Sequence, residues 1–351
     1  MSLPSLNQSF VSGVVRTPIG DVPQVTSTLT WPDNWGSIKA RWSIGRMNYT
    51  VELGLYALKN PDDKAPVFVT ANYKMSFDRL REALPDRDAW ILVLDTKGIN
   101  VWCAAGKGTF GTDELVRRIE SGRLAKLVSH RQVILPQLGG PGVAAYQVRK
   151  RSGFKAVYGP IRSTDLPAFT DAGFKVTSEM RRKTFTTLER MVLIPVELVD
   201  ALKWALILSL AFFMLGGLGP GEFWSNASDY GLFAVFAIFT AVLAGAVMTP
   251  LLLPWLPGRA FSLKGLVMGL IMAGVLVFFR VAGGGTGYLE ALGWLFLIPA
   301  AAAYLAMNFT GASTYTSLSG VRKEMRWAVP LEIGGGVVGL CFWLGSRFIA
   351  V

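Results

Sequence analysis

Cys103 is the residue whose type and place offer chemistry, within Asp95-Thr96-Lys97-Gly98-Ile99-Asn100-Val101-Trp102-Cys103-Ala104-Ala105-Gly106-Lys107. A cysteine thiolate is both a nucleophile and a soft metal ligand. Only one other cysteine, Cys341, occurs in the 351 residues, so no multi-cysteine metal cluster can form within the chain. The apolar run Ala89 to Leu94 reads as a strand and ends just before this segment, at the edge where open α/β sheets hold ligands. Asn100 reads as the N-cap of a short helix beginning at Val101, with Cys103 its third residue. The unpaired amides and positive dipole end of that turn favour a thiolate. On this helix Asn100 and Gly106 lie three positions either side of Cys103, and Lys107 four beyond. Ala104, Ala105 and Gly106 offer no bulk, so a large flat ligand can approach the sulfur. Lys107 is placed to hold the thiolate charge or a ligand's polar rim. Trp102, pointing elsewhere, is expected to anchor the helix in the core.

The elements that position this segment follow from the period of the sequence. Residues 1–40, rich in Ser, Thr, Pro and Trp, read as an irregular N-terminal arm. Ala65 to Thr70 reads as a strand, Ser76 to Leu84 as a capped helix, and Ala89 to Leu94 as a second strand. The cap helix, a helix over Thr112 to Glu120 and a strand over Gln132 to Pro136 come next. A helix to about Arg151, a strand from Lys155 to Tyr158 and a turn at Gly159-Pro160 complete the series. Strands alternating with helices predict a parallel, doubly wound (Rossmann-like) α/β sheet. Its strand ends near Asn72, Asp95 and Gln137, with a fourth near Gly159, then line one crevice.

The second half is of another kind. The chain is 51% hydrophobic with a mean hydropathy of +0.39, and the apolar excess begins after about Val199. Five apolar stretches, roughly 201–218, 231–256, 262–282, 288–308 and 329–350, reach or approach the roughly 20 residues that cross a bilayer. Pro250, Pro254 and Pro257 are expected to kink or end the second early. Arg181, Arg182, Lys183, Arg190 and Lys203 precede the first stretch. Arg259 and Lys264 lie between the second and third, and Arg322, Lys323 and Arg326 between the fourth and fifth. The positive-inside rule places these loops and the N-terminal half in the cytoplasm, and five crossings put the C-terminus outside. Met1 to Thr30 shows no signal-peptide pattern. The net charge of +11 suits anionic lipid at the membrane surface, and no nucleic-acid motif accompanies it. No paired buried charges are expected in the spans, which read as an anchor and partner platform.

Other motifs fall away. Gly106 to Gly111 matches G-x-G-x-x-G, but it starts about a dozen residues after Leu94, and no acidic residue follows at the end of a second strand. Lys107 is followed by Gly108, so there is no Walker A loop. His130, the only histidine, reads as a solvated surface residue and rules out a multi-histidine zinc site. Cys341, between Leu340 and Phe342, reads as a packing residue in the last span.

Asn100 to Lys107 resembles, at all eight positions, the Asn-Val/Ile-Trp-Cys-Ala-Ala/Gly-Gly-Lys signature of the corrinoid proteins of microbial mercury methylation, the HgcA family. Thr70-Ala71-Asn72-Tyr73-Lys74 and Leu135-Pro136-Gln137-Leu138-Gly139-Gly140-Pro141-Gly142 look like corrin-binding segments of the related corrinoid iron–sulfur protein of the acetyl-CoA pathway. The resemblance covers roughly residues 45–175. A corrinoid domain followed by five spans is itself that family's architecture, whereas the iron–sulfur protein is soluble and carries a four-cysteine cluster. The resemblance implies four parts: the arm (1–40), a corrinoid-binding domain (41–180), a basic juxtamembrane linker (181–200) and a five-helix transmembrane domain (201–351). It implies a corrinoid (cobalamin) cofactor with no iron–sulfur cluster in this chain, and Cys103 as lower axial ligand of the cobalt. Cofactor contacts fall to Thr70, Asn72, Asn100, Val101, Trp102, Ala104, Ala105, Gly106, Lys107, Gln137, Leu138, Gly139 and Gly140. A thiolate trans to a methyl group pushes electron density onto the metal, as it does in haem, and suits methyl transfer to the electrophile Hg(II). The implied partners are a ferredoxin-like protein with two iron–sulfur clusters (HgcB type) as reductant and a methyltransferase delivering methyl from methyltetrahydrofolate. Two other functions compete: a membrane-tethered corrinoid methyl carrier in one-carbon metabolism, and a membrane sensor or transporter with a nucleotide-binding domain.

Overall fold

The computed structural model describes residues 3–284, 287–311, 313 and 318–349. It divides into two compact units, Met1–Ala40 with Ile44–Thr184, and Arg41–Ser43 with Phe185–Val351.

In the first unit, apolar runs bounded by turn residues form the middle of a seven-stranded sheet. The elements are β1 (Val11–Thr17), β2 (Gly20–Val25), α1 (Trp31–Arg41), β3 (Gly54–Leu58), β4 (Val67–Ala71), α2 (Lys74–Glu82) and β5 (Ala89–Leu94). Then come α3 (Val101–Lys107), α4 (Thr112–Ser121), α5 (Leu124–Leu127), β6 (Gln132–Leu135), α6 (Ala145–Ser152), β7 (Lys155–Tyr158) and α7 (Leu166–Asp171). Every residue of β4 and β5 is buried, as strands covered on both faces must be. Val67, Val69, Leu92 and Leu94 join one core, and Phe68, Ile91 and Val93 join the other, so alternate side chains feed opposite faces.

The strand order is β1-β2-β3-β5-β4-β6-β7. The block β5-β4-β6-β7 is parallel, as predicted. The sheet as a whole is mixed, which corrects the all-parallel expectation: β3 runs antiparallel to β5, and β1 and β2 form an antiparallel hairpin. The reading of residues 1–40 as irregular also fails. Val22 and Val25 of the hairpin are fully buried, and the hairpin closes one side of the sheet. Helix α2 begins two residues before the expected Ser76 and has no side-chain cap. From β4 the winding goes to β5 on one side and to β6 on the other. That reversal is the switch point outside which open sheets hold ligands.

The second unit is helical: α8 (Thr187–Met191), α9 (Ile194–Gly216), α10 (Phe223–Asn226), α11 (Leu232–Val242), α12 (Thr249–Leu252), α13 (Phe261–Ala282), α14 (Tyr288–Asn308) and α15 (Leu318–Gly345). Five helical runs are long and apolar enough to cross a membrane: Thr187–Gly216, Phe223–Leu252, Phe261–Ala282, Tyr288–Gly311 and Ser319–Gly345. Residues 350 and 351, at the end of the fifth stretch and at the C-terminus, lie outside the described residues, as do residues 1 and 2. Small residues let the helices touch: a Cβ on Gly265 would lie 2.6 Å from the Ala302 carbonyl oxygen, and one on Gly269 2.6 Å from Pro299 Cα. In the second run Pro250 does not end the helix. Two π-turns, Ala227–Gly231 and Leu243–Met248, join α10, α11 and α12, and the chain leaves the helix only before Pro254.

Two expectations about the apolar half are corrected. Charges are paired within it: Arg280 Nη1 donates to Asp229 Oδ1 at 2.6 Å, and Arg280 Nη2 lies 3.8 Å from Glu290 Oε1, which is 2% exposed as a residue. The Arg347 guanidinium sits over the Tyr230 ring. These charges stand near helix ends far apart in sequence, which is why they read as loop charges. Cys341 faces outward rather than packing. Cys341→Ala should therefore leave melting temperature and activity unchanged, within the roughly 0.5 kcal/mol typical of surface changes. A clear loss in a thermal melt would show that the thiol has a partner.

Candidate functional site

The site is assembled at the carboxyl ends of β4, β5 and β6. Asn100 caps α3 as its sequence predicted: its Oδ1 accepts the Cys103 amide hydrogen at 2.9 Å. Gly108 ends the helix with φ 80°, a left-handed conformation that glycine adopts without strain. Seven residues are thus held rigidly at both ends, with Cys103 half-buried between them.

The faces of α3 divide differently from the sequence reading. Ala104 and Ala105 are buried in the sheet core, with Val101 packed against it. Their small size serves close packing. Gly106 and Lys107 are exposed on the Cys103 side, and nothing lies within 4 Å of a Cβ built on Gly106. Trp102 is 38% exposed and does not anchor the helix in the core, which corrects that expectation. A seven-residue helix with Val101, Ala104 and Ala105 turned inward has no inward position left for residue 102.

The loop between β5 and α3 is organised by Asn72. Its Oδ1 accepts hydrogen bonds from the Thr96 amide (3.1 Å), the Thr96 hydroxyl (2.8 Å) and the Gly98 amide (3.1 Å). Asn72 is 9% exposed, so it shapes the loop. Gly98 takes φ 72°, and a Cβ there would lie 3.0 Å from the Met47 carbonyl oxygen. Glu114 of α4 closes the other side: its Oε1 accepts the Asp95 amide at 2.8 Å, and the carboxylate pairs with Arg118. Thr96 and Glu114 escaped the sequence reading, because their partners are 24 and 19 residues away. At Asp95, burial raises the pKa, but hydrogen bonds from the Lys97 side chain and amide outweigh it and hold the carboxyl below its ordinary value.

The segment after β6, Gln137–Gly142, forms a 3₁₀ turn packed against α3. A Cβ on Gly142 would run into the Phe110 carbonyl and lie 3.1 Å from Ala105 Cα. Gly139 is buried, and its Cβ would lie 2.5 Å from the Phe110 ring. These glycines therefore allow two backbones to meet. Gly140 and Leu138 are partly exposed, and Gln137 Oε1 accepts from Arg181 at 3.2 Å. Thr70, at 3% exposure inside β4, supports the sheet. His130 is half-buried rather than solvated, with Nε2 2.9 Å from the Ala65 carbonyl oxygen.

Among the described residues no group of three or more His, Cys, Asp or Glu is placed to hold a metal ion. Cys103 is thus a lone soft donor beside open space. One donor cannot retain a free metal ion, but it suits a metal that brings its own equatorial ligands, as in haem thiolate sites.

Residues 43–169 match the family described as CO dehydrogenase/acetyl-CoA synthase delta subunit. The gamma subunit of the acetyl-CoA decarbonylase/synthase complex of Methanopyrus kandleri is 31% identical over 123 residues, 34% of this chain and 26% of that protein. Its counterpart in Methanocaldococcus jannaschii is 29% identical over 144 residues, 40% of this chain and 29% of the relative. That of Archaeoglobus fulgidus is 30% identical over 115 residues, or 32% and 24%. The chain spans about a quarter of the length of these curated relatives. The family match takes in β3 to β7 and with them the whole Cys103 site, and it leaves β1, β2, α1 and the apolar helices outside.

Proposed function

We propose that this chain is a membrane-tethered corrinoid methyl carrier, with the Cys103 thiolate as lower axial ligand of the cobalt. The observation that carries the reading is Cys103 itself, a lone soft donor on a doubly capped helix at the switch point of the sheet. When bound, the corrinoid supplies a cobalt centre able to accept and donate a methyl group. The chain's own residues hold it: Cys103 from below, the open Gly106 face beside the sulfur, and Lys107 for a polar rim. The relatives are named as subunits of acetyl-CoA decarbonylase/synthase complexes, which favours a carrier in one-carbon metabolism. A narrower reading, methyl transfer to Hg(II), rests on the Asn100 to Lys107 resemblance and on the thiolate's electron donation. None of the relatives' names speaks for mercury. The five apolar helices, with exposed Trp224 and Tyr288 toward one end and Trp255 and Tyr304 toward the other, are the membrane anchor. The sheet unit then faces the cytoplasm, where a two-cluster ferredoxin and a methyltetrahydrofolate-dependent methyltransferase are the expected partners.

The test is the visible spectrum of the purified full chain loaded with cobalamin, beside Cys103→Ala. A cobalt band that moves when the sulfur is removed supports the ligand role. Identical spectra with corrinoid bound remove it, and no bound corrinoid in folded protein removes the carrier reading. Gly106→Phe should abolish loading without loss of stability, because its side chain enters open space and a glycine inside a helix costs about 0.5–1 kcal/mol. Ala104→Leu should instead lower stability by about 1–3 kcal/mol through overpacking. Bound-corrinoid absorbance and a thermal melt, measured on both, separate the two faces of α3. Normal loading of Gly106→Phe would count against the open face.

A further inference from the structure

Helix α1 is built inside out. Trp31, Trp35, Ile38 and the following Trp42 recur at helical spacing on one narrow arc, and are 72%, 48%, 43% and 44% exposed. The opposite arc, Asp33, Gly36, Ser37 and Ala40, is buried. The rings of Trp31 and Trp35 stack with centroids 6.2 Å apart. Exposure of apolar groups continues at Ile44 and Met47.

This orientation is fixed by buried polar contacts. Asp33 accepts from Lys74 Nζ at 2.7 Å and from Arg81 Nη2 at 2.8 Å, while the Tyr49 hydroxyl donates to its carbonyl at 3.0 Å. Gly36 lies so near Tyr49 that a Cβ would sit 2.6 Å from its ring. The aromatic arc therefore cannot roll inward without stripping the partners from two buried cations. Contiguous apolar exposure of this size marks a binding surface. Its rim is cationic: Lys39 is exposed, Arg41 and Arg46 follow, and the only acid from residue 31 to 46, Asp33, faces inward. Tryptophan rings rimmed by lysine and arginine match the headgroup layer of a bilayer, and anionic lipid complements the rim.

We propose that α1 lies in the headgroup layer of the membrane crossed by the chain's own apolar helices, with its tryptophan face inserted. The inference rests on reading those helices as spans. The segment following α1 carries Met47, whose carbonyl abuts Gly98 of the Cys103 loop. Docking therefore holds that loop at the lipid surface.

The full chain, in vesicles of phosphatidylethanolamine and phosphatidylglycerol, tests this with a nitroxide at Ile38→Cys in a Cys103→Ser, Cys341→Ala background. Trp35→Cys is a second label position on the same arc. Leu270→Cys reports the span of α13, and exposed Lys155→Cys reports water. Collision with oxygen, enriched in lipid, is compared with collision with a water-soluble nickel chelate. The expected result is a label at residue 38 that favours oxygen, as at 270, opposite to 155, with the preference reduced when phosphatidylcholine replaces phosphatidylglycerol. A water-like label at 38 with a lipid-like label at 270 overturns docking and leaves the spans standing. A label at 38 shielded from both reagents shows a protein partner or second copy and also overturns it. Water-like labels at both sites sink spans and docking together.

Discussion

Cys103→Ala is expected to lose methyl transfer to Hg(II) by at least about 10²-fold, the scale seen when one preorganised electrostatic group is removed from a reacting centre. The argument runs from the helix upward. Asn100 and Gly108 fix both ends of α3, so the α-carbon of residue 103 stays in place when its side chain is shortened. Nothing else among the described residues is placed to supply a soft donor, because the second cysteine belongs to α15. The alanine variant thus separates holding the cofactor from donating charge to it. Corrinoid loading is expected to persist through the surrounding backbone while transfer to the electrophile fails. Cys103→His sharpens the result. An imidazole donates less charge and suits departure of the methyl as a cation, so it should support a carrier in one-carbon metabolism better than Hg(II) methylation. Methylmercury production, measured on chemically methylated protein with Hg(II) in excess thiol, checks both. Full activity in Cys103→Ala would end the ligand assignment. Activity toward a cation acceptor, with none toward Hg(II) in the unmodified chain, would leave the one-carbon carrier.

Asp33→Ala should destabilise the sheet unit by about 3–5 kcal/mol, the usual cost of removing one partner from a buried ion pair. Lys74 and Arg81 are 6% and 1% exposed, and they share Asp33 with Asp78. Two acids balance two bases; without Asp33 the core holds an uncompensated positive charge. The same group predicts a pH effect. Burial raises the pKa of Asp33, but hydrogen bonds from Lys74 and Thr30 outweigh it and hold the carboxyl well below the ordinary carboxylate range. A depressed folded-state pKa gives stability that is complete above the unfolded value of about 4 and is lost as pH falls below it. Urea titrations of the detergent-solubilised chain, read by hydrogen exchange in α2 and β4, should show acid sensitivity in the parent and a flatter profile in Asp33→Ala. A loss under about 1 kcal/mol would mean that water reaches the cluster. Lys59 and Asp86, an exposed pair, provide the control and should tolerate substitution.

What was legible in the sequence was local or strongly periodic. The cap at Asn100 was readable because its partner amide is three residues away. The strands β4 and β5 were readable because burial on both faces leaves them wholly apolar. The hairpin β1–β2 was hidden by Pro18 and Gly20 in its turn and by Pro23 within β2. Strand β3 carries Tyr56 between charged flanks at Glu52 and Lys59, and its pairing with β5 is a distant contact. Helix α1 misled for a physical reason: its hydrophobic arc is the exposed one, since Asp33 finds its partners 41 and 48 residues away. Within the site, residue types were right and directions less so. Seven helical positions cannot all face a ligand, and the core claims Val101, Ala104 and Ala105.

The two π-turns of the run Phe223–Leu252 make its length a structural variable in its own right. A π-turn closes its ring one residue later than an α-turn, so each is the footprint of an insertion that the helix absorbed without breaking. Deleting one residue from 243–248 would restore α geometry and rotate everything after it by about 100°, with a shift of about 1.5 Å along the axis. Gly245, whose Cβ would lie 2.6 Å from the Ala302 carbonyl oxygen, would leave that contact to a bulkier neighbour. In this helix the reading frame of the fold is set by residue count as much as by residue type. A single-residue deletion here should do more harm than most substitutions.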